Sequence, residues 1–220
     1  MPVGQPEFVF NPEPRCPVIL LLDTSGSMDG QPLQELNRGL VAFKQSVQED
    51  GLASLRVEVA IVTFGGSVRL VQDFVTIDQF VPPQLEATGV TPMGEAIAYG
   101  LDWLEERKET YKDNGIQYYR PWIWLITDGA PTDSWQNAAQ RVKDAERNRK
   151  ISFFAVGVQN ADMVTLSQIT PDERPALRLN GLDFKSMFLW LSQSMKQVSN
   201  SKPGGTMVAL PSLGWGQVSS

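Results

Sequence analysis

The 220-residue sequence contains no histidine. Histidine is the commonest general base in enzymes and a member of the Ser-His-Asp and Cys-His arrangements, so its absence excludes those catalytic sites. The sequence also lacks the Gly-x-x-x-x-Gly-Lys-Ser/Thr phosphate-binding loop and the glycine fingerprint of dinucleotide-binding proteins. These absences argue against several common classes of enzyme.

Cysteine occurs once, at Cys16. A single cysteine cannot form an internal disulfide, and its position directly before an apolar run favours a buried, reduced thiol. No apolar run approaches the roughly 20 residues that a membrane-spanning helix needs. Residues 1–17 have neither the basic start nor the apolar segment of a secretory signal. We therefore predict a cytoplasmic protein without a membrane anchor.

Basic residues are outnumbered, with 19 Lys and Arg against 25 Asp and Glu, which gives a net charge of -6. An acidic chain of this kind argues against a nucleic-acid-binding surface as the main function. The basic residues of segment 141–150 alternate with acidic ones, which predicts a solvated helix face. With 42% hydrophobic residues, the chain can bury the core of one domain.

A continuous apolar run over residues 18–22 ends abruptly in the polar segment Asp23-Thr24-Ser25-Gly26-Ser27. This pattern predicts a strand that is buried on both faces and opens into a loop at its C-terminal end. In open α/β sheets, ligands bind at that edge. Asp23, Ser25 and Ser27 alternate, so one loop can direct three oxygen atoms toward one point. Oxygen ligands of this kind suit Mg²⁺ or a similar cation.

The remaining chain alternates between strand and helix patterns. Gly65-Gly66 predicts a tight turn, so the third strand should pair antiparallel at a sheet edge. The pattern predicts an α/β fold with a doubly wound, mostly parallel six-stranded sheet, one antiparallel edge strand and helices on both faces. The predicted strands cover residues 18–22, 55–64, 67–74, 122–127, 151–158 and 177–179, and the predicted helices cover 32–49, 92–112, 136–149, 162–169 and 183–198.

We predict three segments along the chain: an N-terminal extension over residues 1–15, one domain over residues 16–199 and a tail over residues 200–220. The tail is rich in Ser, Gly and Pro, which is typical of a linker. Leu210, Leu213 and Trp215 are unusually apolar for a free linker. We therefore expect the tail either to dock on the domain or to insert into a partner.

Two further polar loops should lie on the same rim as the first. Thr91-Pro92 is typical of a helix start and favours Thr91 as the N-cap. Asp128-Gly129 follows another buried strand, as Asp23 does. Together with residues 23–27, these positions resemble the metal-ion-dependent adhesion site (MIDAS) of von Willebrand factor type A (VWA) domains.

The resemblance covers most of the chain and implies a non-catalytic module that binds a protein partner through a divalent ion. The ion would be Mg²⁺, with Mn²⁺ or Ca²⁺ as alternatives, and the partner would supply a carboxylate or another anionic group. Segments 89–94 and 127–133 are similar to the bacterial tellurite-resistance (TerY-like) type, which implies an intracellular role in phosphorylation-based stress signalling. The metal ligands that the resemblance implies, directly or through water, are Asp23, Ser25, Ser27, Thr91 and Asp128.

Other interpretations of these residues stay open at this point. The first loop fits a plain strand-to-helix turn in which Ser and Asp bond free backbone groups. A Mg²⁺-dependent phosphatase or phosphotransferase fits two strands that each end in Asp, but Ser25 stands where a haloacid-dehalogenase-type enzyme would place its general acid. A structural subunit with a vestigial ion site fits as well.

Four residues close to the predicted ion are ambiguous. Asp29 and Asp133 are left out of the ligand set, because acidic loop residues are usually solvated. Met28 and Met93 fit either core packing or a flexible apolar rim for a partner.

Overall fold

A computed structural model of the protein describes residues 6–204 and 208–218. Within these residues, strands and helices alternate along most of the chain. The strands are β1 (Cys16–Asp23), β2 (Val57–Gly65), β3 (Ser67–Thr76), β4 (Trp122–Thr127), β5 (Ser152–Gly157), β6 (Leu177–Leu179) and β7 (Gly216–Val218). The helices are α1 (Pro6–Phe10), α2 (Gln31–Gln48), α3 (Gly51–Arg56), α4 (Met93–Asp113), α5 (Gln136–Arg147), α6 (Met163–Ile169) and α7 (Phe184–Ser199).

The strands form one sheet in the order β3-β2-β1-β4-β5-β6-β7. The neighbours of β1, β4 and β5 in this order are parallel to them, whereas β3 pairs antiparallel with β2 at one edge. The predicted α/β class, the parallel centre and the antiparallel third strand are confirmed. The number of strands is wrong, because β7 pairs antiparallel with β6 and closes the second edge as a seventh strand.

Each face of the sheet carries its own apolar core, which explains why the central strands read as unbroken apolar runs. Val18, Leu20 and Leu22 of β1 belong to the core that α2 and α7 cover. Ile19 and Leu21 belong to the core that α4, α5 and α6 cover. Both faces of β1 are fully buried. The sheet is therefore the middle layer of three.

The start of the second predicted strand is wrong. Residues 51–56 form the short helix α3, and Asp50 caps it by accepting hydrogen bonds from the backbone N–H groups of Leu52 (3.1 Å) and Ala53 (3.0 Å). A capping carboxylate satisfies N–H groups that have no partner within the helix. Burial of Asp50 is slight, and these bonds lower its pKa. The helix stops where Val57 enters the sheet.

Buried ion pairs attach the N-terminal segment to the end of the sheet where the strands begin. Glu58 accepts hydrogen bonds from Arg15 Nε (2.7 Å) and Arg107 Nη2 (2.8 Å) and from the hydroxyl of Tyr111. Arg107 also lies over the ring of Phe8 in α1, 5.1 Å from its centroid. Opposite charges that are paired and hydrogen-bonded tolerate such burial. This edge of the sheet is thus closed by a network that joins α1, β2 and α4.

The tail packs on the domain within the residues that the structure describes. Trp215 is 1% exposed, and its ring centroid lies 5.9 Å from that of Trp124 and 6.0 Å from that of Trp190. Trp190 Nε1 donates a hydrogen bond to the carbonyl of Pro211 at 2.9 Å. Leu213 stays exposed. The apolar side chains of the tail therefore complete the core that α2 and α7 cover. This docking brings the end of the tail beside β6, where it pairs as β7.

No helix within residues 6–204 and 208–218 combines the length and the apolar character that crossing a membrane requires.

Candidate metal site

The C-terminal end of β1 places a carboxylate at the floor of the candidate site. Asp23 is fully buried, and its Oδ1 accepts a hydrogen bond from the backbone N–H of Ser25 at 2.8 Å. Its Oδ2 accepts a hydrogen bond from the hydroxyl of Thr127, the last residue of β4. Both carboxylate oxygens are thus held in place by neighbouring donors. The orientation of Asp23 is fixed before any ligand arrives.

The electrostatic surroundings of Asp23 favour the arrival of a positive charge. Burial raises the pKa of Asp23, and the charge of Asp128 raises it further, while the hydrogen bonds from Ser25 and Thr127 lower it. Two nearby carboxylates that repel each other both gain from a cation placed between them.

Hydroxyl groups connect the first loop to the third. Ser25 Oγ lies 3.1 Å from Ser27 Oγ, and Ser27 Oγ donates a hydrogen bond to Asp128 Oδ1 at 2.7 Å. Ser25 and Asp128 are buried, whereas Ser27 is exposed. The exposed Ser27 hydroxyl therefore links two buried groups from different loops.

Gly129 marks the point toward which three loops converge. A methyl group built on Gly129 would lie 3.5 Å from Thr91 Oγ1, 3.9 Å from Asp23 Oδ2 and 3.9 Å from Ser27 Oγ. Two oxygen atoms from the first loop and one from the second therefore surround one small volume beside the third loop. Glycine at position 129 leaves that volume unfilled by a side chain of its own.

Backbone hydrogen bonds hold the second loop against the first. Gly26 N–H donates to the carbonyl of Gly89 at 3.0 Å, and Thr88 N–H donates to the carbonyl of Thr24 at 2.7 Å. Gly89 has φ +69°, and a Cβ atom there would lie 2.4 Å from the Cα atom of Gly66. Only glycine combines that backbone conformation with so close an approach. The Thr91 loop is therefore positioned through main-chain contacts.

The prediction that Thr91 caps a helix is wrong. Helix α4 begins at Met93, after Pro92, and Asp133 from the third loop provides the cap. Asp133 Oδ1 accepts from Gly94 N–H at 3.0 Å, and its Oδ2 accepts from Glu95 N–H at 2.7 Å. The Thr91 hydroxyl therefore takes no part in capping. It lies 3.5 Å from the Cβ position built on Gly129. Asp133 holds α4 to the third loop.

The structure brings the five predicted ligands to one edge of the sheet. It also adds Thr127, which sequence reasoning missed as the residue that holds Asp23. The only available signal was its place directly before Asp128 in a strand that ends in polar residues. Asp29 is exposed and accepts a hydrogen bond from Gly30 N–H at 2.8 Å, within its own turn.

Met28 and Met93 were ambiguous between core packing and a partner-binding rim. Both are fully buried, in the cores on opposite faces of the sheet. Core packing is therefore the correct interpretation for both residues.

The donor set fits a hard cation. It consists of two carboxylates and three hydroxyls. Within residues 6–204 and 208–218, no group of three or more Asp, Glu, His or Cys residues is placed to hold a metal. Side-chain oxygens are the ligands that Mg²⁺, Mn²⁺ and Ca²⁺ prefer, and none of the five residues offers nitrogen or sulfur. The hydroxyls carry no charge, so the five residues offer a divalent ion at most two negative charges, from Asp23 and Asp128.

This geometry agrees with a comparison against protein-family models. The model of the von Willebrand factor type A domain matches residues 18–189, which includes all three loops. The chain belongs to the VWA domain family. A search of curated proteins found no match.

Solved structures show the same fold at low sequence identity. This VWA domain is similar to proximal thread matrix protein 1 from the mussel byssus with a zinc-occupied MIDAS motif, at 17% identity and a TM-score of 0.56. That match covers 84% of this chain and 48% of the mussel chain, so the VWA domain spans about half of that protein's length.

A pilus adhesin and a minor pilin match as well. The pilus adhesin SpaC from Lactobacillus rhamnosus GG, in its open conformation, is 17% identical with a TM-score of 0.64, over 84% of this chain and 30% of the adhesin. The minor pilin PilB from Streptococcus sanguinis is 15% identical with a TM-score of 0.59, over 85% of this chain and 62% of the pilin.

Proposed function

We propose that this VWA domain is a divalent-metal-dependent interaction module that binds an acidic group of a protein partner through the ion. The observation that carries this proposal is the convergence of Asp23 Oδ2, Ser27 Oγ and Thr91 Oγ1 within 4 Å of one point beside Gly129. The proposed ligands, directly or through water, are Asp23, Ser25, Ser27, Thr91 and Asp128.

The neutral hydroxyl ligands and two nearby helix N-termini support an anionic partner. Ser and Thr hydroxyls bind a metal without neutralising it, and Ser27 already shares the charge of Asp128 through a hydrogen bond. Helices α2 and α4 begin directly after the first and second loops, so their N-termini add positive potential to this edge. A bound ion would therefore attract a carboxylate from outside. The exposed side of the site, at Ser27, gives that group access.

Magnesium is the proposed physiological ion. Mg²⁺ prefers oxygen ligands and keeps several waters, which suits a site with two carboxylates and a solvent-facing side. The zinc-occupied MIDAS motif of the mussel protein supports metal binding by this fold without fixing the metal for this chain. Mn²⁺ and Ca²⁺ remain alternatives that the same oxygen set accommodates.

The burial of Asp23 argues against a phosphatase or phosphotransferase. A nucleophilic carboxylate must reach a phosphoryl group, which is much bulkier than a bare cation, and Asp23 is fully buried. The position two residues later is Ser25, which cannot act as the general acid of that reaction. We therefore propose a binding role without catalysis.

The proposed biological setting is bacterial stress or phosphorylation signalling in the cytoplasm. Segments 89–94 and 127–133 are similar to the TerY-like type, and Cys16 is buried and unpaired, as suits a reducing compartment. A strain that lacks the gene and keeps its full tellurite resistance would contradict the TerY-like assignment. The similar pilus adhesin supports a protein partner only because it shares the fold.

Metal titration of matched variants tests the proposed function. Calorimetric titration with Mg²⁺ and with Mn²⁺ should show one site in the wild type and none in Asp23→Ala. Asp29→Ala is the matched control, because it removes a carboxylate from the same loop that contacts only its own turn. Circular dichroism confirms that both variants fold. A folded Asp23→Ala variant with wild-type metal affinity would refute the proposal.

Binding of an acidic probe tests the partner's chemistry. A short peptide with one aspartate on a neutral background should bind the Mg²⁺-loaded protein and lose at least tenfold in affinity in EDTA. The same peptide with asparagine in place of aspartate is the control. Equal binding of the two peptides would contradict a role for the partner's carboxylate.

A further inference from the structure

A cavity of about 760 Å³ opens at the edge of the sheet opposite the metal site. It lies where β4 and β5 begin, between the C-terminal end of α7 and the first part of the tail. Its volume is within the range of small-molecule sites in proteins, about 300–1,000 Å³. Nothing in the metal-dependent function uses this cavity.

The lining of the cavity is strongly basic in an acidic protein. Among the residues that the structure describes, the lining includes six cations and no carboxylate. Clefts that concentrate one sign of charge raise the local concentration of ligands of the opposite sign. The cations are Lys108, Arg120, Arg149, Lys150, Arg174 and Lys202.

Two carboxylates outside the lining neutralise only part of this charge. Glu146 pairs with both Arg120 (2.5 Å) and Arg174 (3.0 Å), and Glu105 pairs with Lys108 (2.6 Å). Four of the six positive charges are therefore uncompensated. Burial lowers the pKa of Arg120, and the neighbouring cations Arg174 and Arg149 contribute to this fall against the opposing effect of Glu146.

Three of the lining cations are exposed and form no side-chain ion pair or hydrogen bond within residues 6–204 and 208–218: Arg149, Lys150 and Lys202. They stand free to contact a ligand. Because their charges are not needed for internal pairing, they can be removed without leaving a buried partner unsatisfied.

Arg149 occupies a backbone position that glycine normally fills. Its φ is +54°, and it follows α5 as the left-handed residue of a Schellman motif. The backbone N–H of Arg149 donates to the carbonyl of Glu146 and that of Lys150 donates to the carbonyl of Ala145, both at 2.8 Å. A residue with a Cβ is strained in this conformation by about 1 kcal/mol or more. The motif places Arg149 in the lining of the cavity.

Most of the remaining lining is apolar or aromatic. Trp122, Tyr119 and Val198 contribute from the domain, and Val208 and Leu210 contribute from the tail. A site for inorganic phosphate would not need such a surface. A ligand that combines several negative charges with a flat apolar body would match both parts of the cavity.

We propose that this cavity binds a nucleoside polyphosphate, with the phosphates at Arg149, Lys150 and Lys202 and the base against the apolar wall. The site would differ from phosphate-binding loops, since side-chain cations rather than backbone N–H groups would hold the phosphates. Binding would be independent of the divalent ion, because the two sites lie at opposite ends of the strands.

Calorimetric titration with ADP in EDTA tests this proposal. EDTA removes the divalent ion, so phosphates cannot bind at the MIDAS edge, and a failure of the proposed metal function would not affect the result. We expect a single site, with at least tenfold weaker binding of both adenosine and pyrophosphate. Absence of ADP binding to the folded protein would overturn the proposal. Equal affinities for pyrophosphate and ADP would overturn the role of the apolar wall.

Charge-removing variants locate the site. Arg149→Gly should weaken ADP binding at least fivefold while leaving the protein as stable as the wild type or more stable, because it relieves the left-handed strain. The double variant Lys150→Gln/Lys202→Gln should weaken it at least tenfold.

The double variant Arg69→Gln/Lys185→Gln is the matched control, because it removes the same charge from exposed positions outside the lining. ADP affinity should stay within twofold of the wild type. Equal losses in the control and in the cavity variants would show nonspecific charge attraction and refute the site. If a polyglutamate peptide bound tightly and ADP did not bind, the nucleotide proposal would be refuted in favour of a protein ligand.

Discussion

Ser27 Oγ donates a hydrogen bond to Asp128 Oδ1 at 2.7 Å across 101 positions of sequence. The bond joins the loop after β1 to the loop after β4, two strands that pair in parallel. Parallel pairing brings the C-terminal ends of both strands to the same edge, so the bond needs no long-range distortion of the chain. The metal edge is therefore largely organised by the sheet itself, and the hydroxyls complete it.

Thr127 should control metal affinity without binding the ion. Thr127→Val keeps the side-chain shape but removes the hydroxyl that donates to Asp23. Because residues that orient metal ligands typically contribute 10–100-fold to affinity, we expect Mg²⁺ binding to weaken by about that factor. Calorimetric titration measures it, with Thr132→Val, an exposed threonine of the same loop, as the control. Unchanged affinity in folded Thr127→Val would contradict this role.

The approach of two loops at Gly89 should make that position intolerant of any side chain. Gly89→Ala places a Cβ against the backbone of Gly66 in a left-handed conformation. We expect the free energy of unfolding to fall by about 1–3 kcal/mol. Urea denaturation measures it. Gly51→Ala, where a Cβ meets nothing within 4 Å, should be neutral or up to about 1 kcal/mol more stable. Equal effects at both positions would refute the steric argument.

Alkaline pH should destabilise the protein through Cys16. Burial, with a smaller contribution from the charge of Glu58, raises the pKa of Cys16 from 9.0 to about 12. The unfolded thiol ionises above pH 9.0, whereas the folded thiol keeps its proton. This part of the stability is therefore complete below pH 9.0 and is lost as the pH rises toward 12, at about 1.4 kcal/mol per pH unit.

Urea denaturation at pH 8, 9, 10 and 11 checks the Cys16 prediction. Cys16→Ala should be less stable at pH 8, because it leaves a cavity, but its stability should fall less steeply above pH 9. The difference in slope is the readout, because other titrating groups contribute equally to both proteins. Parallel slopes would show that the thiol does not titrate as expected.

Trp215 should account for most of the tail's contribution to stability. Trp215→Ala removes a fully buried ring that contacts Trp124 and Trp190, so we expect a loss of about 3–5 kcal/mol. Leu213→Ala, at a side chain that is 43% exposed, should change stability by less than about 0.5 kcal/mol. Thermal denaturation followed by tryptophan fluorescence measures both. Wild-type stability of Trp215→Ala would show that the tail does not dock in solution.

Sequence patterns predicted the elements whose signal is local. The unbroken apolar runs of β1 and β4 gave their positions because both faces of a central parallel strand are buried. The bounds of β6 matched the prediction, and α6 was placed to within one residue. The convergence of Asp23, Thr91 and Asp128 at one edge also followed from local signals, because parallel strands that end in polar residues end at the same edge.

Elements that depend on distant contacts escaped prediction. β7 has three residues and no apolar alternation, so only its pairing with β6 and the docking of Trp215 define it. Thr91-Pro92 looks like a helix start, but the N–H groups of α4 are satisfied by Asp133, 38 and 39 residues further on. Arg149 and Lys150 are exposed, as predicted, but their cavity was not predicted, since the tail that forms its other wall lies more than 50 positions away.

The buried ion network at Glu58 and the direction of β7 determine which side of the domain faces outward when it is immobilised. Arg15 and α1 are anchored where the strands begin, and β7 runs antiparallel to β6, so the chain heads back toward that same side. A tether at either end would therefore leave the MIDAS edge facing outward. Immobilised through a terminal tag, the domain would present the proposed metal site to solution unobstructed, as a surface-based binding assay requires.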